Sequence, residues 1–535
     1  MLRIWGVCSR RRSSAGFLSA VDYRPRPIFD SRAIQARYVQ TPRHSAFSGG
    51  SQASWSEPRS PATSDAQRQT IYALASASGP AGIAVVRVSG PRARDVRAHM
   101  VRPAHRRPNQ DPVPWKLERC TVVDPETEEV LDDALAVFFP GPRSFTTEDV
   151  LELHIHGGRA VAQGVLNALG KLSFARGAAP GEFTRRAFEA GRLDLTQVEG
   201  IKDLVDARTD VQRRAALRAA SGTSRKTYEG LRKDIIKCLA NIEAVIDFGD
   251  TEDVESGVFE AAQARADELR GRINAMLADG RRGELVRSGV RLALFGPPNA
   301  GKSSLLNFLA QREAAIVTPI PGTTRDVLEV SVDLGGVPVL VSDTAGLRES
   351  TDTVESIGIA RARSAIESAD LRLLVLSLPD VLHEGGQIKI PVEMQDFVAD
   401  HPEDTFVLLN KTDLTPTSAL LENVSTAGVW AVSLTEERGT SNFLQGLARA
   451  LRQRFDVLQD VQDAEDSPVV THARHRQHLE SALRFLDAFL AHGPDDIVIA
   501  AEELRYAAQA VGRISGLIDV EDVLDVVFRD FCIGK

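Results

Sequence analysis

Three clusters between Gly296 and Asp413 carry the residue types that handle a nucleoside triphosphate. The first is Gly296-Pro-Pro-Asn299-Ala300-Gly301-Lys302-Ser303-Ser304. Its glycines let successive backbone N–H groups converge on phosphate, Lys302 is placed to reach the β- and γ-phosphates, and Ser303 to ligate Mg²⁺. The second is Asp343-Thr-Ala-Gly346, where Asp343 can hold Mg²⁺ through water and the Gly346 N–H can meet the γ-phosphate. The third is Asn410-Lys411-Thr412-Asp413. A carboxylate there accepts from both the ring N–H and the exocyclic amine of guanine, a donor pair that adenine lacks. Ser433, in Val429-Trp-Ala-Val-Ser433-Leu434, stands where a further base-contacting loop is expected. Each cluster alone is weak evidence, since Asp and Asn at strand ends are common turn residues. All three in this order, each at the carboxyl end of a strand pattern, point to a GTPase.

Hydrolysis needs a group that orients water. The position after Gly346, often glutamine in small GTPases, is Leu347, which cannot do so, and another group must serve. Thr318-Pro-Ile320-Pro-Gly-Thr323-Thr324-Arg-Asp326 is a polar, Pro- and Gly-rich segment following the first cluster. That placement suits a switch loop closing over phosphate, although threonines there also suit ordinary turns.

These clusters need a strand–helix frame, and the pattern supplies one from about Gly289 to Phe455. Val290–Phe295, Val337–Ser342 and Phe406–Leu409 read as buried strands, and Ser304–Leu309 opens a helix. Before this region, Thr70 to Val88 reads as a polar turn around Ser78-Gly79-Pro80 leading into a strand, Gly82–Val88. β-type runs at Ala134–Phe139 and Val150–His156 and a helical pattern near Val161–Leu172 complete an α+β unit over 67–191. His154 and His156 are read as structural residues on opposite faces of their strand, unable to share a metal. Residues 192–288 read as long helices, with Leu231, Ile235, Leu239, Ile242 and Ile246 forming one apolar stripe. A second helical block, 456–535, includes Leu504–Val511 and Val523–Phe531. The economical arrangement is a multidomain α/β chain: an N-terminal α+β domain, a discontinuous α-helical domain, and a Ras-like P-loop G domain (289–455) inserted into it. Two unrelated helical domains flanking the G domain fit the pattern as well.

Residues 1–66 differ from the rest. They hold ten arginines, no lysine and four acids, a net +6, so that of the overall −9 the remainder carries −15. Arg-rich, Ser-rich and acid-poor is the composition of an organellar targeting leader, with a disordered basic tail the plainer reading. An acidic body is not a general polyanion binder, so RNA contact would need a local basic patch or a basic partner. No apolar run reaches the length of a membrane span; the densest, Leu371–Leu378, suits a buried strand. Cysteines at 8, 120, 238 and 532 have neither metal-ligand spacing nor disulfide density, which favours a reducing compartment.

Longer strings carry a family resemblance. Gly82-Ile-Ala-Val-Val-Arg87-Val-Ser-Gly90, Pro142-Arg-Ser-Phe-Thr-Thr-Glu-Asp149, Glu152-Leu-His-Ile-His-Gly-Gly158 and Gly181-Glu-Phe-Thr-Arg-Arg-Ala-Phe188 join the phosphate loop, the Pro-Gly-Thr-Thr-Arg-Asp segment, Asp343-Thr-Ala-Gly-Leu-Arg348 and the terminal Cys532-Ile-Gly-Lys535. With these, Thr70 to Lys535 resembles the MnmE/TrmE family of tRNA-modification GTPases in a mitochondrial form.

The resemblance implies a homodimer formed through the N-terminal domain, with G domains that dimerise across GTP. It implies modification of the tRNA wobble uridine at carbon 5 to a taurinomethyl-type product, with a tetrahydrofolate one-carbon donor (5-formyl- or methylene-tetrahydrofolate) and an FAD-dependent partner, in the mitochondrial matrix. Residue by residue, it implies K⁺ ligation by Asn299, Thr318, Ile320 and Thr323, and Thr324 beside Ser303 on Mg²⁺. Glu355 would position the attacking water, Arg87, Glu152, Arg192 and Lys535 would hold the folate, and Cys532 would take part in modification. Arg192 stands where the family usually has lysine, and Ser76-Ala-Ser-Gly79 where it commonly has Ala-Thr-Pro-Pro-Gly. Two other readings compete: a GTP switch in mitochondrial ribosome assembly, and a folate-dependent methyl transferase acting on a small substrate.

Overall fold

A computed structural model describes residues 69–104, 111–248, 257–311, 315–316, 329–343, 366–383, 388–415, 428–455, 470–517, 531 and 534. The leader, Thr318, Ile320, Thr323, Thr324, Gly346, Leu347, Glu355, Cys532, Lys535 and the helical expectation over Val523–Phe531 lie outside these, apart from Phe531 itself.

The N-terminal part is a seven-stranded sheet in the order β3-β4-β5-β6-β2-β1-β7. Its strands are β1 (Thr70–Leu74), β2 (Ala81–Ser89), β3 (Val101–Pro103), β4 (Glu118–Val123), β5 (Val130–Phe139), β6 (Val150–Gly157) and β7 (Ala175–Gly177), with helices α1 (Ala93–Met100), α2 (Arg159–Gly170) and α3 (Glu182–Glu189). Pairing is antiparallel except between β1 and β7. Thr70–Leu74 is therefore a strand where only a turn approach was expected. Alternation places Val86, Val88, Leu151, Leu153 and Ile155 in a core covered by α1 and α2.

Four helices follow: α4 (Leu195–Asp206), α5 (Asp210–Ala220), α6 (Thr223–Phe248) and α7 (Val258–Ser288). Capping boxes fix the first two starts. Asp194 with Gln197 begins α4, and Thr209 with Gln212 begins α5. The α6 stripe is buried at Leu231, Ile235, Leu239 and Ile242, but Ile246 is exposed, so the stripe ends one turn early.

The second sheet has the order β14-β13-β12-β8-β11-β10-β9. It comprises β8 (Val290–Phe295), β9 (Ala315–Ile316), β10 (Glu329–Leu334), β11 (Val337–Asp343), β12 (Leu371–Ser377), β13 (Thr405–Asn410) and β14 (Val429–Ala431), with α8 (Lys302–Ala310), α9 (Val392–Asp400) and α10 (Thr440–Phe455). The run Leu371–Ser377 is buried at every residue, as a central parallel strand requires. Strands β14 to β11 are parallel, and β8 has parallel neighbours on both sides, β11 and β12. The crevice beyond the carboxyl end of β8 is thus where such a sheet places a ligand.

Two more helices, α11 (Ala473–Ala491) and α12 (Ile497–Ser515), return to the first helical block. One hydrophobic core contains Leu231 and Ile235 of α6, Leu269 and Ile273 of α7, Leu479 and Leu486 of α11, and Leu504 and Val511 of α12. Helices from both sides of the second sheet therefore share a core. Among the described residues no helix is long and apolar enough to cross a membrane.

Candidate functional site

The phosphate loop spans the end of β8 and the start of α8. Gly296 has φ 142°, and its Cα lies so close to the Val375 carbonyl on β12 that a Cβ would overlap it. Gly301 (φ 103°) is the N-cap of α8 and packs with equal closeness on the Asn410 side chain. Only glycine tolerates both demands. Asn299 between them has φ 59°, a left-handed conformation that asparagine adopts more readily than most residues. The loop therefore turns its backbone inward toward the N-terminus of α8, the arrangement that receives an anion.

Lys302 is buried, and its Nζ donates to the carbonyls of Gly296 (2.8 Å) and Pro297 (2.7 Å). The ammonium is thereby held over the loop that would cradle phosphate. Ser303 and Ser304, in the first turn of α8, are exposed. The backbone of Asp343 ends β11 in register with Leu294 of β8, one residue before β8 runs into the loop.

Asn410 joins the phosphate loop to the base side. Its Nδ2 donates to the Ala300 carbonyl (3.0 Å), and its Oδ1 accepts from Leu434 N–H (3.3 Å). Lys411 takes the left-handed conformation at φ 64°, and Asp413 follows in a 3-10 turn, Thr412–Leu414. Ser433 is fully buried, and its hydroxyl accepts from Glu436 N–H (3.2 Å), so it shapes its own turn. The structure thus brings together Gly296 to Ser304, Asn410 and the Ser433–Leu434 turn. The Asn410–Leu434 contact was not legible in the sequence.

A second polar cluster lies on the N-terminal sheet. Arg87 on β2 and Glu152 on β6 are register partners, and Arg87 Nε donates to Glu152 Oε1 at 2.8 Å. The guanidinium lies over the rings of Phe145 (5.6 Å) and Phe183 (5.8 Å). Both aromatic walls were missed at the sequence level. Phe145 sits in the Pro142–Asp149 segment, which is tied down by Ser89 to Thr146 (2.6 Å) and Arg186 to Glu148 (3.0 Å). Arg192 donates to the Ser144 carbonyl of this segment, and burial lowers its pKa.

His154 and His156 correct an expectation. Residues two apart on a strand share a face, so both point the same way as Glu152. His154 Nε2 lies 3.6 Å from Glu152 Oε2, while His156 Nδ1 meets Asp132 Oδ1 at 2.7 Å. They have separate carboxylate partners, and the described residues contain no cluster suited to a metal. The His154 Nε2 atom is buried without a hydrogen bond, a polar position a ligand can complete.

The chain's end returns to this region. Phe531 packs with Ala187, Leu193, Leu195 and Val198, and Gly534 (φ 101°) abuts the Leu74 carbonyl too closely for a Cβ. Cys532 and Lys535 lie outside the described residues, but these neighbours lie at the α3–α4 junction and the end of β1. The described cysteines are buried, and burial raises both thiol pKa values, that of Cys120 to about 12, which keeps them protonated.

Known proteins resemble the chain over two stretches that together cover nearly all of 70–532. Residues 70–192 match the GTP-binding protein TrmE N-terminus, and residues 195–532 match the MnmE helical domain. A tRNA modification GTPase MnmE of Parvibaculum lavamentivorans is 48% identical over 471 residues, covering 87% of this chain and 100% of that protein. The mitochondrial 5-taurinomethyluridine-[tRNA] synthase subunit GTPB3 of Danio rerio is 42% identical over 481 residues, covering 87% and 93%. Its Homo sapiens counterpart is also 42% identical, over 470 residues with the same coverage. Likeness of this extent, joined to the phosphate loop and the N-terminal sheet, assigns the chain to the MnmE/TrmE family of tRNA-modification GTPases.

Proposed function

We propose that this protein is the GTP-hydrolysing subunit of the mitochondrial enzyme that installs a taurinomethyl-type group at carbon 5 of the tRNA wobble uridine. The observation that carries the reading is likeness over more than nine-tenths of the length of relatives named for 5-taurinomethyluridine synthesis. The reading includes a tRNA substrate, an FAD-dependent partner protein and a matrix location, with the arginine-rich leader as the import signal.

In this reading Gly296 to Ser304 cradle the phosphates, and Lys302 supplies charge to the β- and γ-phosphates. Asp413 reads guanine, with Asn410 and Lys411 supporting its loop. Ser303 and Thr324 would hold Mg²⁺, assisted by Asp343 through water, and Asn299, Thr318, Ile320 and Thr323 would hold K⁺. Bound there, the two cations would supply positive charge to the phosphates. Glu355 orients the attacking water, a role a carboxylate can fill where Leu347 cannot.

The N-terminal sheet fits a folate through its own donors and acceptors. Glu152 and His154 Nε2, which makes no hydrogen bond, offer polar contacts to a pterin amine or carbonyl, with Phe145 as an apolar wall. Arg192 and Lys535 would suit the glutamate tail, and Cys532 would act on the one-carbon unit that the folate supplies when bound. The protein works as a homodimer through this domain, with nucleotide-dependent pairing of the G domains.

The test is mass spectrometry of mitochondrial tRNA nucleosides from cells lacking the protein. Loss of the wobble 5-substituted uridine, restored by wild type but not by Glu355→Ala, is expected. An unchanged nucleoside profile with defective ribosomes would replace this reading with an assembly switch.

A further inference from the structure

The chain enters the nucleotide-binding sheet at Ser288–Val290 and leaves it toward α11 at 470–472. These two connections are 180 residues apart in sequence, yet one side chain touches both. Arg287, in the last turn of α7, donates from Nε to Asp203 Oδ1 at 2.9 Å. His472, the N-cap of α11, contacts Asp203 Oδ2 through Nε2 at 2.9 Å. Asp203 lies on α4 with its side chain 16% exposed, so both oxygens are engaged in a mostly dry setting.

Neighbouring contacts reinforce this seat. Gln212 Nε2 donates to the Arg287 carbonyl (3.0 Å), while its Oε1 caps the start of α5. Val211 of α5 and Val286 of α7 are buried in the same core as β8 and β11. One turn before Asp203, Glu199 receives Arg474 (2.9 and 3.0 Å) and His475 (2.7 Å), fixing the start of α11. Beside Asp203 and Arg287 is a cavity of 190 Å³, also lined by Gln212, Ser288 and Thr471.

We infer that Asp203 is a positioning residue that pins both connections of the nucleotide domain to α4, so that nucleotide-driven movement reaches the helical body through this carboxylate. The coupling half of this inference rests on the function proposed above; the pinning half does not. Severing one partner frees one connection, whereas neutralising Asp203 frees both.

Hydrogen–deuterium exchange on the full-length protein tests the pin. Arg287→Gln should raise exchange at 286–290 alone, His472→Gln at 470–473 alone, and Asp203→Asn at both, each by about tenfold or more, about 1.4 kcal/mol. Protection in α6 and α12 and the affinity for GTP should stay unchanged. Unchanged exchange in Asp203→Asn, or protection lost across the whole helical core, would overturn the pin. For coupling, Asp203→Asn should keep GTP turnover within about twofold while tRNA modified per GTP hydrolysed falls about tenfold. An unaltered ratio would overturn the coupling. A wild-type protein that modifies no tRNA would instead remove the proposed function and leave the exchange result standing.

Discussion

Around the phosphate loop the chain prepares a ligand site with its backbone. Gly296 and Gly301 take conformations closed to other residues, Lys302 is folded onto two loop carbonyls, and Asn410 braces the loop from a separate strand. On the N-terminal sheet the backbone is ordinary β structure, and the polar atoms come from side chains: Arg87, Glu152 and His154, walled by Phe145 and Phe183. The first arrangement is set by the backbone before any ligand arrives. The second depends on a loop and an aromatic pair that other segments must hold in place. A site made from backbone should fail abruptly on small substitutions, whereas a side-chain site should fail by degrees.

The sharpest test is Lys302→Ala. Removing this charge should cost about 10²- to 10³-fold in GTP turnover under single-turnover conditions. Binding of a tetrahydrofolate to the N-terminal domain should be untouched. Turnover within tenfold of wild type would mean that the contacts to Gly296 and Pro297 are the lysine's whole role.

Gly301→Ala comes next. Its Cβ must displace the Asn410 amide at a φ that alanine adopts poorly, a strain of about 1–3 kcal/mol. GTP affinity measured by calorimetry should fall about 10- to 100-fold. Unaltered affinity would show that the loop reshapes freely, and the contrast with the sheet face would collapse.

These features differ in how visible they are from sequence, for the same physical reason. A backbone site must use glycines at fixed spacing, so Gly296 to Ser303 stood out, and so did the buried strand Leu371–Ser377. A side-chain site on a sheet needs only alternation, which Arg87 and Glu152 share with any exposed strand pair. Their aromatic partners are 58 and 96 residues beyond Arg87, so local pattern could not reveal them. Strand β1 escaped notice because five residues ahead of a Gly-Pro turn carry too little periodicity. The Asp203 contacts to Arg287 and His472 span 84 and 269 residues, beyond the reach of any spacing argument.

Glu152→Gln keeps the shape of the sheet face but removes its charge. Losing one charge-assisted hydrogen bond should weaken tetrahydrofolate binding about tenfold, the low end of its expected 1.5–3 kcal/mol. GTP hydrolysis should stay at the wild-type rate. A loss of both activities together would show that the two sites are not independent, which is where their contrast would break.

The smallest effect concerns the helical body. His478 on α11 has its pKa lowered to about 4, first by burial and then by the charges of Arg474, Arg513 and His475. Its unfolded value is about 6.5. Between these two values the unfolded chain binds a proton that the folded chain does not, so stability falls as pH drops from about 6.5 to about 4. The slope is at most about 1.4 kcal/mol per pH unit for one proton, and solvent around the partly buried ring narrows the pH window over which it acts. His475 adds to this trend, since burial lowers its pKa too, while its Nε2 faces the ionised Glu199. Melting temperatures at pH 7.5 and pH 5 should therefore differ by less in His478→Gln than in wild type. The residual pH dependence left by that substitution belongs to His475 and the carboxylates around it. If mild acid removed GTP binding while the helical body stayed folded, the acid-sensitive group would lie in the nucleotide site, at Asp413 or Asp343, rather than in the helical body.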